Sequence, residues 1–332
     1  MKKTALALLC ALLLALALTA CGQDAAEPSS APSEAAETPG AASGLVILCE
    51  ADEDMINNYS LLAVDPDAPF VDADGNSVSD VYINTEGAAA LISWMLSAEG
   101  ETAAADYGYD EYGEYLFYLA DGAPVSTAEI PRATDETRVI RMSTTTSVND
   151  SGLLGYLLPM FEAEYGYEVE VTSAGTGKAI ANAESGNADV LLVHSKSQEE
   201  EFIAAGYSYV LPGFESERLT FLYNYFVLCG PADDPAGVKD APSVRDAFAA
   251  IAEGKYPFVS RGDQSGTHTK EVSLWPEELG ITVDAASVEQ YADWYTYSNA
   301  GMGVCLTMAA ETGSYILSDK ATFLTFQAGG AG

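Results

Sequence analysis

Residues 138–194 read RVIRMSTTTSVNDSGLLGYLLPMFEAEYGYEVEVTSAGTGKAIANAESGNADVLLVH, and the change of period along this stretch predicts the fold class. Residues 138–142 form a short strand. A hydroxyl-rich turn, Ser143-Thr144-Thr145-Thr146-Ser147, follows it. Asp150 or Ser151 then serves as the N-cap of a helix with Leu153, Leu154, Leu157, Leu158 and Phe161 on one face. Pro159 falls inside that pattern and is expected to kink or shorten the helix. Gly166 closes it, residues 168–172 alternate as a strand, and Gly175-Thr176-Gly177 opens a second helix that ends near Gly186. Residues 188–194 are a buried-type strand. Strand, helix, strand, helix, strand implies an α/β fold with a mostly parallel sheet and right-handed crossovers.

Further along, residues 219–228 form a long β-rich run ending at Gly230-Pro231. Helices are expected at 243–253, 266–275 and 302–311, with a short strand at 257–260. Before the quoted stretch, residues 45–49 and 59–64 read as strands and 86–96 as a helix. Residues 121–137 are polar, contain proline and show no period, so they read as a connector.

The chain opens with Lys2 and Lys3, an apolar run over residues 5–18, and Leu18-Thr19-Ala20-Cys21-Gly22. That is the layout of a secretory signal, and the run is shorter than the ~20 residues a spanning helix needs. Its ending resembles the lipobox of bacterial lipoproteins, which implies processing after Ala20 and lipidation of Cys21. Two acyl chains suffice for stable attachment to the outer face of the cell membrane. Residues 23–43 are rich in Ala, Pro, Ser, Glu and Thr with no aromatic residue, the composition of a flexible spacer. Whole-chain charge is −36, from 14 bases and 50 acids. Loss of Lys2 and Lys3 leaves twelve bases against 50 acids, a formal charge of −38. Such a balance argues against a nucleic-acid binder and against docking on anionic lipid. Cys49, Cys229 and Cys305 lie in apolar contexts and read as buried free thiols.

Two loops share one design, at 143–147 and 173–177: a strand end, a cluster of hydroxyls and glycines, then a helix N-terminus. A third, Ser260-Arg261-Gly262-Asp263-Gln264-Ser265-Gly266-Thr267-His268, adds a cation. Helix N-termini present unpaired N–H groups and partial positive charge, Gly admits close approach, and Ser and Thr donate without charge. Arg261 supplies a charged fork of donors that suits oxygen anions. The plainer reading of each loop alone is capping and turn formation. Gly175-Thr176-Gly177-Lys178 is not a phosphate loop, because Thr172 and Ala179 stand where that motif needs Gly and Ser or Thr. Ser265 with His268 could form a nucleophile and base, but no Gly-x-Ser-x-Gly elbow surrounds them. Arg261-Gly262-Asp263 would act in adhesion only if exposed. With His194 and His268 the only histidines, no transition-metal site is expected.

Residues 143–154 resemble the opening of the tungstate-binding proteins of ABC importers. So do Gly175-Thr176-Gly177, residues 187–194 and residues 258–268, in matching order over about 138–322. The resemblance implies a two-lobed, Venus-flytrap periplasmic-binding fold of the second type that closes on one tetrahedral oxyanion. It places ligand contact on Thr144, Thr145 and Thr146, on Thr176, and on Ser260, Arg261, Ser265, Gly266 and Thr267. It implies tungstate or molybdate as ligand, an ABC permease and its ATPase as partners, a monomer, no cofactor and no turnover. Phosphate or sulfate is the alternative ligand, with Asp263 available to accept a phosphate proton; a serine hydrolase is the alternative activity.

One departure concerns order. In that family the chain continues past the counterpart of residues 321–326 to finish the first lobe. Here the resembling segments, Leu45-Val46-Ile47-Leu48-Cys49, residues 57–64, 84–88 and 115–118, come first, as in a circular permutation or, as the alternative, a tandem duplication trimmed at both ends. The resulting division is a signal at 1–20, a spacer at 21–44, and a first lobe of 45–119 plus 138–211. A linker at 120–137, a second lobe at 212–326 and a Gly-rich tail at 327–332 complete it.

Overall fold

The alternation of residues 138–194 is present in the computed structural model, which describes residues 44–331. The expected signal, the lipidated Cys21 and nearly all of the spacer lie outside the described residues. The chain runs through β1 (Leu45–Cys49), β2 (Ile56–Ala63), α1 (Thr85–Met95), α2 (Ala98–Asp106), α3 (Tyr109–Tyr112) and β3 (Tyr118–Leu119). It continues with β4 (Val139–Thr145), α4 (Thr146–Asp150), α5 (Leu153–Tyr165), β5 (Glu168–Ala174), α6 (Thr176–Glu184), β6 (Val190–Val193) and α7 (Lys196–Ala204). Then come β7 (Leu219–Pro231), α8 (Val244–Gly254), β8 (Phe258–Ser260) and α9 (Gly266–Leu274). The last elements are β9 (Tyr295–Tyr297), α10 (Met302–Thr312), β10 (Ile316–Asp319) and α11 (Lys320–Phe326).

β4 lies between β5 and β6 and is parallel to both, as a pair of helix-linked crossovers requires. The rest of the sheet corrects the expectation of mostly parallel pairing. β2 is antiparallel to β6 and β7, and β7 is antiparallel to β1, β3 and β10. The reason is that β2 and β7 run from one half of the body to the other and return against each other. Leu219, Phe221 and Leu222 of β7 sit in a core with Trp94, Phe117 and Phe161. Farther along the same strand, Phe226 and Leu228 sit in a second core with Phe248, Phe258 and Trp275. These two cores are the lobes, and the crossing strands join them.

The expected lobe boundaries shift accordingly. The sequence places β1 in the first lobe, but it pairs with the far end of β7, and Leu45 and Leu48 are buried with second-lobe residues. The start of β7, read with the second lobe, belongs to the first. Residues 120–138 carry no helix or strand, as expected of a connector, yet Ala123, Ile130 and Ala133 pack on the first core. Residues 327–331 are not a loose tail: they form a wide helical turn after α11, and Gln327 Nε2 donates to the Leu45 carbonyl at 3.1 Å. The last turn of the body therefore touches its first strand.

Two local expectations are also corrected. α5 begins after Gly152, not at Asp150 or Ser151, because a separate short helix, α4, occupies residues 146–150. Gly152 has φ +82°, and a Cβ there would collide with the Tyr107 hydroxyl. Pro159 does not shorten α5, which continues to Tyr165 with Leu153, Leu154, Leu157 and Phe161 fully buried on its core face. Burial of that face offsets the one backbone hydrogen bond the proline removes. Cys229 and Cys305 are buried free thiols, while Cys49 is only half-buried.

Candidate functional site

β4 ends in the three threonines, and the sheet register decides what each can do. Thr144 faces β6 and its hydroxyl donates to the Leu192 carbonyl at 2.6 Å; Ser143 donates to the Ala179 carbonyl at 2.9 Å. Their protons are used within the fold, so neither the Ser143 nor the Thr144 hydroxyl has a proton to offer a ligand. Thr145 is the N-cap of α4, accepting from Val148 N–H at 3.3 Å, and its oxygen lies 3.3 Å from Ser147 Oγ. Ser147 Oγ in turn lies 3.0 Å from His194 Nε2, and His194 Nδ1 lies 2.8 Å from Asn57 Oδ1.

Proton directions follow along this buried chain. Asn57 Nδ2 donates to the Tyr59 hydroxyl and to Asn224 Oδ1, so Asn57 Oδ1 accepts from His194 Nδ1–H. His194 Nε2 then accepts from Ser147, and Ser147 accepts from Thr145. Thr145 is thereby committed as well and supports the site without reaching into it. Burial, reinforced by the Arg261 charge, lowers the His194 pKa to about 3, which keeps the ring neutral.

Thr146 and Thr176 are the first-lobe groups that face the other lobe. Arg261 Nη2 donates to Thr146 Oγ1 at 3.1 Å, and Gly266 N–H donates to Thr176 Oγ1 at 3.1 Å. Each hydroxyl accepts across the cleft and keeps its own proton for a further acceptor. Gly175 stands against Asp263, 3.5 Å from its carbonyl oxygen to a Cβ placed there.

The second-lobe loop between β8 and α9 is shaped by two left-handed residues, Gly262 at φ +60° and Gln264 at φ +58°. Gly262 lies against the Tyr297 ring, where a Cβ would approach to 2.7 Å. Asp263 holds the turn, accepting from Arg261 Nη2 at 2.5 Å and from Ser265 N–H at 3.1 Å. Ser265 caps α9 by accepting from His268 N–H at 3.2 Å. Gln264 N–H donates to His268 Nδ1 at 3.1 Å, so the His268 proton resides on Nε2. Burial lowers the His268 pKa, against the opposing pull of Asp263.

What remains is a set of buried polar atoms without partners among the described residues. Arg261 is 2% exposed, and its Nε and Nη1 bond to nothing; neither do Ser260 Oγ, Thr267 Oγ1 and His268 Nε2. A buried donor left unpaired costs about 1–3 kcal/mol, more when charged. Four residues with such atoms within nine positions mark a place built for an acceptor-rich, negatively charged group. The structure thus brings together Thr146, Thr176, Ser260, Arg261, Ser265, Gly266 and Thr267 from the sequence-derived set. The His268 donor and the Asn57–His194–Ser147 chain were not in that set; two histidines in otherwise hydroxyl-rich blocks were the only signal.

The geometry also answers two alternative readings. Ser265 Oγ bonds the His268 main chain rather than its ring, whose Nδ1 is already occupied, so the pair is not arranged as nucleophile and base. Arg261 is buried and bound to Asp263, so the Arg-Gly-Asp loop is not presented for adhesion.

Comparison with known proteins gives the following. Residues 131–331 match the family model described as the PBP superfamily domain. The tungstate-binding protein TupA of Peptoclostridium acidaminophilum is 46% identical over 191 residues, covering 57% of this chain and 62% of that protein. TupA of Campylobacter jejuni is 34% identical over 182 residues, covering 55% of this chain and 62% of that protein. A solved structure, titled as the tungstate ABC transporter from Geobacter sulfurreducens, is 39% identical and covers 57% of this chain and 75% of the other, with a TM-score of 0.47. The chain spans less than two thirds of the length of the curated relatives it matches.

Proposed function

The chain belongs to the PBP superfamily, and from that membership we propose that it captures tungstate or molybdate outside the membrane for an ABC importer. The observation that carries the reading is Arg261, buried between the lobes with two charged donors unpaired beside Ser260, Thr267 and His268. A tetrahedral dianion offers four acceptor oxygens, which suits converging donors from both lobes. Thr146 and Thr176 reach it from the first lobe, and the α9 N-terminus adds main-chain N–H groups and partial positive charge. Closing of the lobes over the ion replaces its hydration shell by these donors. The names of the 46% and 34% identical relatives support tungstate.

On the same reading the protein is held at the outer membrane face by lipidated Cys21 and delivers its ion to a permease and its ATPase, with binding and release rather than turnover. The order of elements is that of a circular permutant. Contact of Gln327 with Leu45 supports this, since it places the close of α11 beside the start of β1.

Calorimetric titration of the full-length chain with tungstate, molybdate, sulfate and phosphate tests the proposal. One-to-one binding of tungstate or molybdate in preference to the other two is expected. Equal, weak or absent heats with all four would overturn it.

A further inference from the structure

The long-range field of this protein opposes its proposed ligand: a dianion approaches a chain of formal charge −36. Against that background, a cavity of about 440 Å³ beside the site has an unusual lining. Lys196, Arg218 and Lys270 line it, three of the twelve Lys and Arg residues between positions 44 and 331, and no Asp or Glu does.

The cavity adjoins the candidate site through two shared residues, His194 and Gly266. These two are in close contact, since a Cβ on Gly266 would lie 2.7 Å from the His194 ring. Gly266 and Lys270 are four residues apart on α9, so they share a face with one turn, about 6 Å, between them. Residues of the crossing strands close the back, with Asn57 of β2 and Phe226 of β7 among the lining. Opposite α9 stands the first turn of α7, where Ser195 makes no side-chain cap, so the main-chain N–H groups of that turn add positive character.

The three cations are not equally available. Arg218 is neutralised by the buried Glu199 at 2.5 Å, and Lys196 pairs at 3.6 Å with the exposed Glu200. Lys270 Nζ instead donates to the Asp54 main-chain carbonyl at 2.9 Å, while the Asp54 carboxylate is held by Arg245 at 2.7 Å. The Asp54 carboxylate is thus shared between Arg245 and Lys270, and Lys270 keeps part of its charge for the cavity it lines.

We propose that this cavity is the approach by which the oxyanion reaches Arg261, and that Lys270 and Lys196 set the association rate without holding the bound ion. The inference rests on the oxyanion reading of the neighbouring site. Physiological salt screens charges beyond about 8 Å, so distant acidic surface is damped and these nearby cations dominate the last steps of approach.

Stopped-flow mixing of the full-length chain with tungstate, followed by tryptophan fluorescence, reads the association and dissociation rates separately. At low salt, Lys196→Gln with Lys270→Gln should lower the association rate by about three- to tenfold, with the dissociation rate within twofold of wild type. The difference should shrink towards none at about 0.5 M salt. Lys270→Arg should restore the rate in the Lys196 wild-type background. Ser273→Glu, which places a carboxylate on the exposed wall of the same cavity and keeps Lys270 itself, should also slow association. An unchanged association rate in the double variant and in Ser273→Glu overturns the proposal, as does an affinity loss carried by faster dissociation. If wild type binds neither tungstate nor molybdate by calorimetry, the oxyanion reading itself fails, and this inference with it.

Discussion

Replacing Arg261 by Met separates what this residue does for binding from what it does for stability. Arg261 is buried with Nε and Nη1 unpaired, while Nη2 serves Thr146 and Asp263. A bound oxyanion would take two charge-assisted bonds from the unpaired nitrogens, worth about 1.5–3 kcal/mol each. Their loss, about 3–6 kcal/mol together, corresponds to a fall in affinity of roughly two to four orders of magnitude. Without ligand the same two nitrogens burden the fold by about 1–3 kcal/mol apiece, and Met removes that burden while keeping volume in the buried space. Loss of the Asp263 pair opposes the gain, but that side chain is partly exposed and keeps the Ser265 N–H. Apo stability should therefore change by no more than about 2 kcal/mol in either direction, unlike the several kcal/mol typical of a substitution at a fully buried position. Thermal unfolding with and without tungstate, paired with calorimetric titration, measures both quantities. The expected pattern is an apo transition near that of wild type and a ligand-induced shift that has vanished. Affinity within threefold of wild type would refute the placing of the ion on Arg261. A large loss of apo stability would refute the claim that its donors are unsatisfied.

Gly266→Ala should weaken oxyanion binding at least tenfold with little change in apo fold by circular dichroism, because the new methyl meets the His194 ring at 2.7–2.9 Å and that ring is tied to Ser147 and Asn57; full affinity would show that the lobes need not close at this contact. Glu271 is buried in the second lobe, accepts from Trp275 Nε1 at 3.0 Å and the Tyr295 hydroxyl at 2.6 Å, and has its pKa raised to about 7 by burial. The folded state thus holds a proton that the unfolded state releases near 4.5, so this group makes stability fall as pH rises from about 4.5 to 7. Glu271→Gln, which keeps the acceptor oxygen, should be increasingly stabilised over wild type across that window in urea unfolding, and a constant difference would refute the assignment. His194 works in the opposite sense: its pKa is lowered from 6.5 to about 3, so it makes stability fall as pH drops through that range, and His194→Gln should flatten the acid side of the unfolding profile. Finally, a rearranged chain that joins residue 328 to residue 44 through a short Gly-rich link and opens within 120–137 should fold and bind as the natural order does. Failure to fold, judged by cooperative thermal unfolding, would argue against permutation.

The reach of the sequence differs from element to element. The period of residues 138–194 predicts β4, α5, β5, α6 and β6 because each buries one face, and burial imprints spacing on a chain. It does not say where β1 belongs. Leu45-Val46-Ile47-Leu48-Cys49 reads as a strand in any setting, and only its pairing with Leu228–Pro231 of β7 puts it in the second lobe. The site behaves the same way. A run of three threonines before a helix announces donors, yet strand register has Thr144 donate to the Leu192 carbonyl, and Thr145 donates to Ser147 while its oxygen accepts from Val148 N–H at the α4 cap. Thr146 keeps its proton because it lies one position farther, past the end of the strand.

By itself, then, the sequence determined the α/β class, the three hydroxyl-rich helix starts, the single cation among them, and the order of segments that points to a permuted body. All of these are local properties of composition and spacing. Tertiary structure alone decided which hydroxyls are used up within the fold and which donors stay unpaired. Those outcomes depend on partners 36 to 175 residues away, among them Ala179 for Ser143, Thr176 for Gly266 and Thr322 for Ser147. A hydrogen bond is satisfied or orphaned by what lies within 3.5 Å in space, and no spacing along the chain records that distance.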